Sequence, residues 1–455
     1  MPDCFLFNPA RNFSDKAFIA GRIFASLTDG ECVPMATIEL SELDPGMVLA
    51  TDLRAPNGRF LLGKGAHVTS DHLEVMAAWG VVEVEVEGLS DQELELKRSA
   101  HIDPSRMQAA EEKTRQRFAH ANLDHEGMGQ LFQTCVLMEA QRLTDGTIET
   151  GNKDSDSADG HTGPLPLPES AERKAEPGSL IRDKIKLPSL PVIFDQINDA
   201  LNDPRSSATY LAGIISKDAS LSALLLKLVN SAFYGFPSKI DTISRAIAII
   251  GTKELSTLAL GACALKMFKD IPRELMDMKS FWKHSIACGI LARIMGSYEQ
   301  SNASTERLFL AGLLHDIGRL PMFQSLPVQA KAALVSARRT GRLLCDTEQE
   351  VFGFDHAMVG GMLVKKWKFP LVFERSVSAH HAYITGNMAW ETALVHVSDV
   401  VANALAVGSS GEEFVPPLGI KAWNTAGLSV GILKAAIRQA QPYIEETIQV
   451  FFPNG

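Results

Sequence analysis

The sequence predicts a multidomain chain: a small, mostly antiparallel β domain with a helical pair behind it, then an all-α helical bundle. Three observations predict this. Near the start, Val82-Glu83-Val84-Glu85-Val86-Glu87 alternates strictly, and Asp44-Pro45-Gly46 and Pro56-Asn57-Gly58 are turn signals between short apolar runs. Residues 145–180 are rich in glycine, proline and charge, with almost no large apolar side chain, which is the composition of a flexible linker. From Leu187 to about Val400 no alternating period appears, and apolar residues recur at helical spacing.

Composition bounds the function. A chain of 455 residues holds two or three domains, and 45% hydrophobic with 22% charged residues is ordinary for a globular protein. A net charge of −10 leaves no basic footprint for nucleic acid. The six cysteines are scattered with no C-x-x-C, which argues against zinc-finger and disulfide frameworks and for a reducing cytoplasm. No apolar run reaches the ~18 residues of a membrane span, and no basic-then-apolar leader opens the chain. The expected setting is cytoplasmic, away from membrane and nucleic acid.

The elements follow in order. Residues 1–34 show no sustained period and read as an N-terminal extension, or as a start assigned too early, with Met35 the true one. The β domain spans 35–95, where Ser70 or Asp71 caps a short helix through Trp79 and Gly80 ends it. In 96–144, Asp103-Pro104 opens the first of two helices, 104–121 and 126–144, a pair suited to pack on the β domain or to mediate a homodimer. The linker is assigned to 145–182. The bundle, 183–408, begins with a helix ending near Asp203-Pro204. Helices from Ser207 and Asp218 follow, then a long amphipathic region, Thr242 to Met267, broken at Gly251. Residues 409–455 read as a C-terminal tail with a helix.

The bundle half carries the chemistry. Leu308 to Arg319 reads LFLAGLLHDIGR, an almost unbroken apolar run that ends in His315-Asp316. Either the aspartate is solvated at a helix end, or something pairs with it. His284 lies in an amphipathic helix, His356 begins another, His380-His381 follow, and Asp399 sits mid-helix among valines. Taken singly, each has a plain structural reading, and His396, one turn before Asp399, could partner it. Together they offer several imidazoles and two carboxylates from separate helices, a set a bundle can project inward to hold one or two metals. Nitrogen and oxygen donors without thiolate suit manganese, iron or zinc. The expected ligands are His284, His315, Asp316, His356, His380 and Asp399, with His396 behind them. His381 should stand behind them too or point away, because adjacent helical residues diverge by ~100°.

These residues resemble the H…HD…D signature of the HD superfamily of metal-dependent phosphohydrolases. That resemblance implies a divalent ion on His284, His315-Asp316 and Asp399, with His356 and His380 extending it to a second. The lead-in LPSLP and the segments KDASLSALLLKLVNSAFYGFP and AIAIIGTKEL resemble the HDOD domain, a signalling output domain, over about Leu187 to Asp399. Residues 37–144 look like the β-plus-helix module found ahead of such domains. After the paired histidines the chain reads HHAYITGNMAW, without the Gly-Tyr-Pro of the related cyclic di-GMP phosphodiesterases. Arg319 stands where those enzymes carry lysine, and is expected to contact phosphate. Two functions follow from the resemblance. One is a signalling adaptor that binds a partner protein or a nucleotide. The other is a phosphohydrolase acting on a nucleotide or cyclic dinucleotide.

Overall fold

A computed structural model describes residues 35–453 except 41–42, 55–59, 79–80, 82, 89–101, 145–184, 186, 188–190, 204, 237, 266, 269–270, 299–304 and 383–388. The proposed extension 1–34, the linker 145–182 and the Pro56-Asn57-Gly58 turn therefore fall wholly or almost wholly outside the described residues. The chain divides into two compact units, 1–100 and 101–455.

In the first unit, strands β1 (Met35–Glu39), β2 (Val48–Leu49) and β5 (Glu83–Glu87) form an antiparallel sheet in the order β1-β5-β2, and β3 (Leu53–Arg54) pairs with β4 (Phe60–Leu62). The alternation is realised as predicted: Val84 and Val86 are buried while Glu85 between them is exposed. Their partners across the ladder, Ile38 and Ala36, are buried on the same face. Helix α1 (Ser70–Ala78) adds Met76 to this core. Gly46 takes φ +101° in the Asp44-Pro45-Gly46 turn, a conformation that favours glycine.

The second unit is helical. Its described helices are α2 (Pro104–Arg117), α3 (Glu126–Thr144), α4 (Val192–Asn202), α5 (Ala208–Ser216), α6 (Ala219–Val229), α7 (Ile243–Ile250), α8 (Thr252–Leu265) and α9 (Met278–Ser297). After them come α10 (Thr305–Leu314), α11 (Arg319–Ser325), α12 (Pro327–Thr340), α13 (Leu344–Phe352), α14 (His356–Lys366), α15 (Leu371–Ala379), α16 (Trp390–Ala404), α17 (Ile420–Ala426) and α18 (Val430–Phe451). Side chains set several starts: Asp103, Ser207, Asp218, Thr242 and Asp277 each accept a backbone N–H of the following turn. Gly251 at φ +112° separates α7 from α8. Among the described residues no helix is long and apolar enough to cross a membrane.

Two boundaries differ from expectation. The helical pair is continuous with the bundle: Phe118, Leu131, Phe132 and Cys135 belong to the same buried core as α9 and α16. Arg117 Nη2 donates to the Asn403 carbonyl at 2.5 Å and the Ala404 carbonyl at 3.1 Å, at the C-terminal end of α16. The charged surface of α2, which buries only Ala110 and Thr114, conceals this docking from a periodicity reading. The segment 409–455 is likewise no tail. Helix α18 packs along α9 and buries Leu433, Ala436, Ile437, Ala440 and Ile444.

Candidate metal centre

Helix ends and two close crossings assemble the site. His284 lies in α9, and His315 and Asp316 occupy the turn that ends α10. Helices α9 and α10 cross at glycines, where a Cβ on Gly312 would lie 2.6 Å from the Gly289 Cα. That approach brings the rings of His284 and His315 to 5.2 Å. His356 is the first residue of α14, which Asp355 caps by accepting from Met358 N at 2.9 Å. The turn carrying Asp316 can lie against this start only because residue 318 is glycine, since a Cβ there would fall 2.0 Å from the His356 carbonyl. His380 closes α15, His381 follows it, and Asp399 projects from the middle of α16.

All six expected ligands converge, each between 0% and 3% exposed. Asp316 is the centre. Its Oδ1 lies 2.9 Å from His356 Nε2 and 3.8 Å from His380 Nε2. Its Oδ2 lies 3.2 Å from His315 Nε2 and 3.7 Å from His284 Nε2. Asp399 Oδ1 lies 3.1 Å from His284 Nε2 and 3.3 Å from His315 Nε2. The donors form two groups that could each hold an ion, Asp316 with His356, His380 and His381, and His284 with His315 and Asp399. Asp316 turns one oxygen toward each.

The tautomers test whether a cation fits. His315 Nδ1 lies 2.7 Å from the Gly312 carbonyl, His380 Nδ1 lies 2.7 Å from the Val377 carbonyl, and His356 Nδ1 lies 2.5 Å from Glu348 Oε2. Each Nδ1 faces a pure acceptor and must carry the proton, which leaves an Nε2 lone pair aimed inward. His356 Nε2 and His380 Nε2 stand only 3.3 Å apart, and His315 Nε2 has no well-directed hydrogen bond. Converging lone pairs and carboxylates call for positive charge between them. Without metal, protons answer that demand. Burial pulls His315 down, but Asp316 and Cys288 outweigh it and hold the imidazole well above its ordinary range. His356, pulled down by burial and Arg319, is still raised to about 9 by Glu348 and Asp316. Asp316 and Asp399 are held well below the usual carboxylate range despite burial, Asp316 by Arg319 and His315, Asp399 by His284 and His315. A set of four histidines and two aspartates thus fits a divalent ion. Cys288, one turn beyond His284, adds no thiolate, since burial raises its pKa.

Three expectations change. His381 neither points away nor stands behind the ligands: its Nε2 reaches 2.9 Å from His356 Nε2. It lies beyond the end of α15, where the helical 100° divergence no longer applies. His396 is not the partner of Asp399, though it does stand behind a ligand. Its Nδ1 donates to the His380 carbonyl at 2.8 Å, and its Nε2 accepts from Gly419 N at 3.0 Å. Arg319, expected to contact phosphate, is buried and bonded within the centre. Its Nη1 donates to Asp316 Oδ2 at 3.1 Å, to the Ser410 carbonyl at 3.0 Å and to Ser410 Oγ, and its Nε donates to Glu348 Oε1 at 3.3 Å.

Glu348, Asn403 and Ser410 escaped the sequence reading. Glu348 was findable, because Leu344, Glu348 and Phe352 recur every four residues on the buried face of α13. Asn403, which donates to Asp399 Oδ1 at 2.8 Å, sits one turn after that aspartate. Ser410 is a loop residue with no such signal.

Residues 187–383 match the HDOD domain family. An uncharacterized protein of Treponema pallidum (strain Nichols) is 27% identical over 204 residues, which is 44% of this chain but only 39% of that relative's length. The solved structure of a candidate phosphohydrolase from Shewanella amazonensis SB2B aligns with a TM-score of 0.50 at 21% identity, covering 60% of this chain and 98% of that one. An HDOD domain protein of unknown function from Geobacter sulfurreducens aligns with a TM-score of 0.50 at 21% identity, covering 61% and 96%. These structural likenesses concern the fold. Asp399, Asn403 and Ser410 lie beyond the matched span, on α16 and the loop after it. Over residues 187–383 the chain carries an HDOD domain.

Proposed function

We propose that the chain is a bacterial signal-transduction output protein, an adaptor built on the HDOD domain, with its HD-type divalent metal centre retained as a closed cross-link. The observation that carries this is the state of Arg319. Arg319, the residue expected to contact phosphate, is 2% exposed and is taken up by Asp316, Glu348 and Ser410. The six expected ligands around it are buried in the same way, with His381 half-buried at the edge, which supports a structural rather than a catalytic metal site, the latter keeping a coordination position open. His284, His315 and Asp399 would hold one ion and Asp316, His356, His380 and His381 another. Bound metal would supply the positive charge that the converging carboxylates and imidazoles call for. The chain's own residues fix the donors: backbone carbonyls and Glu348 set the histidine tautomers, and Asn403 holds Asp399. Partners would then be signalling proteins or a nucleotide on the cytoplasmic side, bound elsewhere on the surface.

A second reading, a phosphohydrolase acting on a nucleotide or cyclic dinucleotide, draws on one feature, the carboxylate shared between two donor groups. Turnover separates the two. The full chain, reconstituted in turn with Mn²⁺, Fe²⁺ and Zn²⁺, should hydrolyse nucleoside phosphates and cyclic dinucleotides no faster than Asp316→Ala. Hydrolysis that Asp316→Ala abolishes would establish the enzyme instead.

A further inference from the structure

Glu348 touches one member of a donor group directly and a second through Arg319. Its Oε2 accepts from His356 Nδ1 at 2.5 Å and from the His356 backbone N–H at 3.0 Å. Its Oε1 accepts from Arg319 Nε at 3.3 Å, and Arg319 Nη1 passes the contact on to Asp316 Oδ2. The residue is fully buried on α13, a helix that carries none of the candidate ligands. A buried glutamate is retained only where its charge is matched, and here it faces one guanidinium and one imidazole.

We propose that Glu348 is a positioning residue that makes the group of Asp316, His356, His380 and His381 an ion-binding site, acting on His356 directly and on Asp316 through Arg319. This rests on the metal reading above and deepens it. The carboxylate fixes the proton of His356 on Nδ1, so that Nε2 is always presented to the ion. It also neutralises Arg319, whose charge beside Asp316 would otherwise oppose a divalent cation. The group of His284, His315 and Asp399 has no contact with Glu348, and its histidine His315 takes its orientation from the Gly312 carbonyl. The two groups should therefore respond differently to its loss.

The test uses the full chain, stripped with chelator and titrated with Mn²⁺ in a calorimeter. Wild type should bind Mn²⁺, and failure to bind would overturn the metal reading itself. Glu348→Gln can accept from His356 but places an amide donor among donors. It should bind the ion of the His356 group 10–100-fold more weakly, the loss typical of a residue that orients a ligand. The remaining affinity should fall by less, because only the arm through Arg319 reaches Asp316 Oδ2, the oxygen turned toward that group. An equal fall at both would overturn the assignment to the His356 group. Thr347→Val is the control for a merely structural effect. That neighbour, fully buried, bonds the Ala333 and Leu344 carbonyls and no ligand, so it should lower the melting temperature and leave Mn²⁺ affinity unchanged. Should Glu348→Gln not fold, Glu348→Asp withdraws the carboxylate by one methylene while keeping its charge, and should also weaken that ion. Wild-type affinity in whichever variant folds, with wild type itself binding Mn²⁺, would overturn the role of Glu348 alone.

Discussion

At the scale of single residues, the centre is decided by where protons sit. His315, His356 and His380 each direct Nδ1 at an acceptor, so their inward nitrogens have no choice but to meet a cation or a proton. Asp316→Ala should therefore release bound metal, measured by elemental analysis of the purified chain. It should also cost about 3–5 kcal/mol in denaturant unfolding, because Arg319 loses its buried counter-charge. His396 predicts a pH dependence. Burial lowers it from 6.5 to about 4, in keeping with an Nε2 that accepts from Gly419 N and cannot do so once protonated. Between those values the unfolded chain takes up a proton that the folded chain refuses. Its share of stability is thus complete above pH 6.5 and lost as pH falls toward 4, about 3 kcal/mol in all. His396→Gln, with an amide able to serve both bonds, should flatten that stretch of the chemical-denaturation profile. An unchanged slope would count against the assignment.

At the scale of elements, two crossings position the donors. Gly312 meets Gly289 backbone to backbone, so Gly312→Ala must push α10 away from α9 and separate His315 from His284. Overpacking of this kind costs about 1–3 kcal/mol, and here a fall in metal affinity should accompany the fall in melting temperature. Arg117 caps the C-terminal end of α16 from outside the matched domain. Removing it as Arg117→Ala should cost about 1–3 kcal/mol, seen as a lower urea midpoint. The helices and their ligands were legible because apolar periodicity is local: the caps at Ser207, Asp218 and Thr242 and the break at Gly251 lie where the sequence puts them. What it concealed is non-local. The docking of α2 depends on a few apolar residues in a charged helix, and the inward turn of Arg319 depends on a serine 91 positions away. His381 departs from expectation because it lies two residues past the end of α15, where helical divergence no longer holds.

At the scale of the whole molecule, the compact units 1–100 and 101–455 have separate hydrophobic cores, so each should fold alone. A fragment starting at residue 101 should keep its melting temperature within about two degrees of the full chain, given that surface changes away from core features move stability by only ~0.5 kcal/mol. Within the second unit, seven histidine and aspartate side chains from several helices and the turns that end them meet in one cluster, and Asp316 offers an oxygen to each half. Anomalous diffraction from crystals of the full chain, recorded across the manganese, iron and zinc edges, tests this most directly. One or two peaks should appear about 2.0–2.2 Å from Asp316 carboxylate oxygens and the inward Nε2 atoms. Maps without a peak there, with Asp316 and Asp399 hydrogen-bonded to protonated histidines, would contradict a metal centre.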